Sequence, residues 1–118
     1  MKELTIIIKP EKLETLKQII EDHHVNGMTI STVMGCGTQK GHVETEEGVH
    51  TIKGFNTVIN LLPKIKIDVV IPDNILNDLV NDICEKVSTG NVGDGKIFVR
   101  NIEDAIRIRT GERGNKVL

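Results

Sequence analysis

Two glycine-rich stretches that carry cations have the residue types needed to hold an anion. Gly90 and Gly95-Lys96 keep the G-x-x-x-x-G-K spacing of a phosphate loop, in which bare backbone lets N–H groups approach phosphate oxygens and the lysine adds charge. Ile97 breaks the pattern, standing where a Ser or Thr hydroxyl would hold magnesium. The loop also lies between a helix and a strand, whereas the motif needs strand then helix, and both departures argue against a P-loop hydrolase. What survives is a nest-like anion site with Lys96, or simply a flexible turn. Arg107 and Arg109 alternate; on a short strand both guanidiniums face one side and can grip phosphate oxygens in forks. Gly35-Cys36-Gly37-Thr38-Gln39-Lys40-Gly41 is a second glycine-rich turn with a cation, or a hinge. Taken together, these segments suit a polyphosphate cleft.

Catalysis would require a positioned base or nucleophile. The acids nearest these segments are Asp68 and Asp94, and Asp94 is read as shaping its own turn. Slow hydrolysis through a magnesium-bound water is the enzymatic alternative. Cys36, His42 and His50 fit no familiar zinc spacing and are read as loop side chains. His23-His24 reads as a helix end meeting terminal carbonyls, and Cys84 as a core residue of a helix.

The chain has 118 residues, 38% of them apolar and 27% charged, which fits one folded domain with a modest core. Fifteen basic side chains face 17 acidic ones, a formal charge of −2, so no global basic field exists to hold nucleic acid. The charge drifts along the chain. Residues 1–85 carry 8 basic and 13 acidic groups, residues 86–118 carry 7 and 4, and this suits a small anionic ligand. Two Phe with no Trp or Tyr offer no stacking platform for bases. No apolar run is long enough for a membrane helix, the start lacks a signal-peptide layout, and the expected setting is the cytoplasm, with both cysteines reduced.

These groups must be positioned by regular elements. Leu4–Ile8 reads as a strand, and residues 11–23 as an amphipathic helix with Leu13, Leu16, Ile19 and Ile20 inward. Asn26-Gly27 marks a turn, and Met28–Met34 alternates as a half-buried strand. Between Gly35 and Pro63 periodicity dissolves into what reads as one long functional loop. Residues 64–71 alternate strictly, residues 72–88 repeat the helical pattern, Lys96–Arg100 reads as a strand, and Ala105–Ile108 as a shorter one. The order predicts an α+β, ferredoxin-like βαββαβ sandwich. Thr29, Val33 and Val70 on its second face predict cover by neighbouring copies in a closed ring.

At this point the sequence resembles the PII signal-transduction family of nitrogen and energy regulators. The resemblance rests on Ile8-Lys9-Pro10, Gly27-Met28-Thr29, Gly35 to His42, Leu62 to Lys66, Thr89 to Val99 and Ile106 to Glu112, which span almost the whole chain. It implies one PII-like domain over 1–118 with a T-loop at 37–61, a B-loop at 88–96 and a C-terminal strand and tail at 105–118. It also implies a homotrimer that binds ATP or ADP between subunits and signals through the T-loop. The implied nucleotide residues are Thr29, Gly35, Gly37, Thr38, Gln39, Asp68, Val70, Gly90, Gly93, Asp94, Gly95, Lys96, Arg107 and Arg109. 2-Oxoglutarate would use Gln39, Lys40, Gly41 and Lys64, with magnesium held through Gln39. The implied partners are a transporter subunit or a metabolic enzyme, so contact with a membrane would be only indirect.

Three departures stand out. Thr38 occupies a position where the family pattern usually has a phosphate-contacting arginine, which removes one charge-assisted bond. The T-loop is longer than usual and carries Val49, Ile52, Phe55, Val58, Ile59 and Leu61. With no tyrosine in the chain, tyrosine nucleotidylation is ruled out, and sensing rests on ligands.

Overall fold

In both halves of the chain a strand runs into an X-Pro step and a single 3-10 turn before its helix begins. Strand β1 (Lys2–Ile8) leads through Pro10–Lys12 into α1 (Leu13–Asp22). Strand β4 (Phe55–Ile71) leads through Asp73–Ile75 into α2 (Leu76–Val87). Proline fixes φ near the helical value and lacks an N–H that would be unpaired there, so it starts a helix cheaply. The remaining strands are β2 (Thr29–Lys40), β3 (Val49–Ile52) and β5 (Gly95–Asn101). This computed structural model describes residues 1–40, 49–52 and 55–118, and side chains outside 37–60.

The sheet order is β2-β4-β1-β5 with β3 added on β4, and every pairing is antiparallel. The architecture is the ferredoxin-like one read from the sequence. Register decides which residues share a face. Leu4, Ile6 and Ile8 stand opposite Val69, Ile67 and Ile65, and all six are buried under Leu16, Ile19 and Ile20 of α1 and Leu79, Ile83 and Val87 of α2. Among the described residues no helix lies on the opposite face. There the rows run Thr29–Asp68–Thr5–Phe98, Ser31–Lys66–Ile7–Lys96 and Val70–Glu3–Arg100, and of these residues only Thr5 is buried.

Several expectations change. The stretch after Gly35 is not aperiodic at its flanks: β2 and β4 stay in register out to Lys40↔Thr57, and β3 pairs with β4 from Val49↔Val58 to Ile52↔Phe55. Residues 105–108 form no strand. The tail doubles back on itself instead, with Arg107 N–H donating to Glu112 O at 2.9 Å, Gly111 N–H to Arg107 O at 2.7 Å, and a lone bridge at Ile106↔Arg113. Helix α1 runs to Asp22 and is capped at His23-His24, the helix end read from the sequence. His24 has φ +60, its N–H reaches Glu21 O, and Val25 N–H reaches Ile20 O, the paired bonds of a Schellman cap. His23 turns its ring to α2, with Nε2 2.9 Å from Asp82 Oδ2; that bond and the Lys86 ammonium lower the Asp82 pKa. Cys84 is exposed, because it follows Ile83 at the outer margin of the apolar stripe.

Candidate functional site

The glycine turn between α2 and β5 is built around Asp94. Its carboxylate accepts from the backbone N–H groups of Thr89 at 2.7 Å and Gly90 at 3.0 Å, and from the hydroxyls of Ser88 and Thr89. The Thr89 hydroxyl and N–H, acting ahead of the Gly90 N–H and Ser88 hydroxyl, hold the Asp94 pKa down to about 2. The turn therefore commits the Thr89 and Gly90 N–H groups to an internal anion, so of the residues read as a phosphate cradle Gly90 already has its N–H engaged. The Asp94 bonds are spent on the loop, which agrees with the structural role read from the sequence and leaves no general base there.

Cations converge on the same turn. Lys64 Nζ donates to Gly93 O at 2.8 Å, and Lys9 Nζ lies 3.9 Å from Asp94 Oδ1. The Lys64 stem passes over Gly35, where a Cβ would come within 3.1 Å of Lys64 Cγ. Gly95 opens β5 with φ +122, and a Cβ there would sit 2.0 Å from the Ile7 carbonyl oxygen, so the turn returns to the sheet only through a residue without a side chain. Gly35, Lys64, Gly90, Gly93, Asp94 and Gly95 thus form one group, with Lys96 the next residue along β5. Gly37, Thr38, Gln39 and Lys40 continue β2 beyond Gly35, opposite Asn60, Ile59, Val58 and Thr57. Gly41 and His42 lie outside the described residues, as do the His50 side chain and those of Gly37 to Lys40.

A second group lies elsewhere. Thr29, Asp68, Val70 and Arg107 line an open cavity of about 890 Å³, together with Glu3, Met28, Val117 and Leu118. That volume falls in the range of small-ligand sites. Asp68 and Lys64 are four residues apart on β4, roughly 13 Å at the usual strand rise, so one chain does not fold the two groups into a single pocket. Arg107 and Arg109 do not sit side by side on a strand as the sequence suggested. Arg107 donates to Glu112 Oε1 at 2.8 Å, while Arg109 is exposed in the turn beyond it. Among the described residues no group of three or more His, Cys, Asp or Glu is arranged to hold a metal, and no helix is long and apolar enough to cross a membrane.

Sequence reasoning missed Glu3, Thr5 and Arg100, which bond to one another on the open face. The signal available was the placement of polar Glu3 and Thr5 at alternate positions of a strand whose other residues after Lys2 are all Leu or Ile.

The profile of the family "Nitrogen regulatory protein P-II" matches residues 1–112. The chain is 42% identical to the nitrogen regulatory protein P-II of Haemophilus influenzae over 118 residues, covering all of both chains. It is 44% identical to that of Bradyrhizobium diazoefficiens over 114 residues, 97% of this chain and 96% of the relative. Among solved structures it is similar to the B. subtilis GlnK–ATP complex, with a TM-score of 0.81 and 35% identity over 99% of this chain and 96% of that one.

Proposed function

Because the chain belongs to the nitrogen regulatory protein P-II family, whose members are regulators and not enzymes, we propose that it senses adenine nucleotides. In this reading ATP or ADP binds in a cleft that two copies of the chain complete. One copy supplies Gly35, Gly37, Thr38, Gln39 and the turn from Gly90 to Lys96, and its neighbour supplies Thr29, Asp68, Val70, Arg107 and Arg109. The observation that carries the proposal is the separation of these groups within one chain, since neither alone offers both a nucleoside cavity and a phosphate cradle. The similar B. subtilis GlnK solved with ATP supports it. The uncovered sheet face, with Phe98 half exposed at 52%, supports a closed trimer, and the proposed setting is the cytoplasm.

The T-loop at 37–61 is the output. Phosphate count, magnesium and 2-oxoglutarate bias it among conformations, and a transporter subunit or metabolic enzyme binds only some of them. 2-Oxoglutarate would be held by Gln39, Lys40, Gly41 and Lys64. Magnesium, which keeps phosphate oxygens and water as ligands, would take the Gln39 amide oxygen. Isothermal titration of the purified oligomer with ATP and ADP, with and without magnesium and 2-oxoglutarate, tests the reading. Saturable uptake is the expected result; no uptake at millimolar nucleotide overturns it. Steady-state hydrolysis is expected to stay below roughly 1 s⁻¹, under the ordinary enzyme range.

A further inference from the structure

A run of hydrogen bonds crosses the open sheet face from β5 through β1 to β4 and ends at the cavity. Arg100 is anchored by Glu3, whose Oε1 accepts from Nε at 2.7 Å and lies 2.6 Å from Nη2. The same Nη2 donates to Thr5 Oγ1 at 3.1 Å. Thr5 Oγ1 lies 2.8 Å from Asp68 Oδ1. A guanidinium has no lone pair with which to accept, so the Thr5 oxygen must be the acceptor from Arg100. A hydroxyl carries one hydrogen, and the Thr5 hydrogen is therefore left for Asp68. Thr5 is only 7% exposed, which keeps water from replacing either bond.

The consequence falls on Asp68. One carboxylate oxygen is tied down, which stops the group from rotating, and Lys66 Nζ lies 3.9 Å from the other oxygen. Asp68 lines the cavity with its cross-strand neighbour Thr29, and an ionised carboxylate offers a ligand acceptors only.

We infer that Thr5 and Arg100 are positioning residues that aim Asp68 at a hydrogen-bond donor on the nucleoside, either the base amine or a sugar hydroxyl, and so set which nucleosides the cavity accepts. This rests on the nucleotide reading above. A site built to pair with a donor leaves its own buried acceptor unpaired when the donor is missing, and so rejects such a ligand strongly. Holding the acceptor still in advance is what makes that rejection sharp.

The test compares ATP with three analogues: inosine triphosphate, which carries an oxo group in place of the amine, and 2′-deoxy- and 3′-deoxy-ATP. Each is titrated into the wild-type oligomer and into Thr5→Val, Thr5→Ser and Arg100→Met. Wild type should reject at least one analogue by about tenfold or more, the scale of one hydrogen bond to a charged group. An effect confined to inosine triphosphate identifies the base amine, and one confined to a deoxy analogue the sugar hydroxyl. Thr5→Val and Arg100→Met should bring that ratio toward unity, and Thr5→Ser, which keeps the hydroxyl, should preserve it. A purely structural role would shift melting temperature without moving the ratio. Wild type that binds ATP and all three analogues equally, or Thr5→Val that keeps the full ratio, overturns this inference alone. Wild type that takes up no ATP overturns the nucleotide reading, and this inference with it.

Discussion

Lys64 reaches past the end of β1 to donate to the carbonyl of Gly93 at 2.8 Å, over a separation of 29 residues. The bond joins β4, whose far end runs into the loop segment, to the glycine turn that holds Asp94. A ligand that displaces Lys64 from Gly93 therefore acts on both at once. In the regulatory reading proposed above, this bond is the route from an anion in the turn to residues 37–61, and it needs no rearrangement of the core. The core lies on the other face, where Ile65 and Ile67 are 8% and 0% exposed.

Gly95 is the least replaceable residue of that turn. A Cβ would stand 2.0 Å from the Ile7 carbonyl oxygen, a backbone atom one pair in from the end of the β1–β5 ladder, at φ +122. Gly95→Ala must open the ladder or move the turn, and is expected to cost about 2–4 kcal/mol of stability. Denaturant unfolding at neutral pH measures this. A loss under about 0.5 kcal/mol would mean that the turn adapts freely.

Asp94 gives the turn an acid-sensitive element. Its folded pKa is depressed to about 2 from 3.8, chiefly by the Thr89 hydroxyl and N–H. A carboxylate with a depressed folded pKa contributes stability that is fully present above its unfolded pKa and is lost as pH falls through the folded value. The contribution of Asp94 is thus expected to disappear between about pH 4 and pH 2. Stability curves for wild type and Asp94→Asn should converge across that window and run parallel above it. Curves already coincident at pH 7 would show that the carboxylate contributes nothing.

Period-two and period-three-to-four patterning placed β1, both helices, β4 from Lys64 onward and β5, because each buries one face and repeats its apolar residues accordingly. The glycine turn was legible for the same local reason: its spacing is contiguous. Contacts between residues distant in sequence were not. Arg100 and Thr5 are 95 positions apart, and only the β1–β5 register brings them together. The helix end at His23-His24 was legible where the apolar repeat stops, but its form was not, because a left-handed cap usually announces itself as glycine and here is a histidine at φ +60. Residues 105–108 alternate like a strand, yet the backbone folds onto Glu112 and Arg113 before any ladder can form.

Arg107 and Arg109 should separate cleanly when each is truncated. Arg109 is exposed in the turn, so Arg109→Ala is expected to leave stability within about 0.5 kcal/mol while weakening nucleotide binding by about 1.5–3 kcal/mol, the scale of a lost charged hydrogen bond. Arg107 also holds Glu112 at 2.8 Å across the tail hairpin. Arg107→Ala should therefore lose affinity and, in addition, up to about 1 kcal/mol of stability, the upper range for a surface ion pair. Titration calorimetry paired with thermal unfolding reads both quantities. Unchanged affinity in Arg109→Ala would remove that residue from the site.

The uncovered sheet face makes the sharpest demand on assembly. Phe98 stands on that face in the row with Thr5 and Asp68, at 52% exposure in the isolated chain, and β5 carries it at the sheet edge where a neighbouring copy would meet it. If copies pack there, Phe98→Asp places an unpaired carboxylate in each buried contact, at a cost of several kcal/mol per site. An isolated chain gains nothing from an exposed Phe and should fold normally as the variant. Wild type is therefore expected to sediment at about three times the 13.1 kDa chain mass. Phe98→Asp should fall to the mass of one chain with its circular dichroism retained. Because the two halves of the nucleotide site sit on different copies in this reading, that variant should lose ATP binding along with its mass. A monomeric variant that still binds ATP with wild-type affinity would show that one chain completes the site by itself.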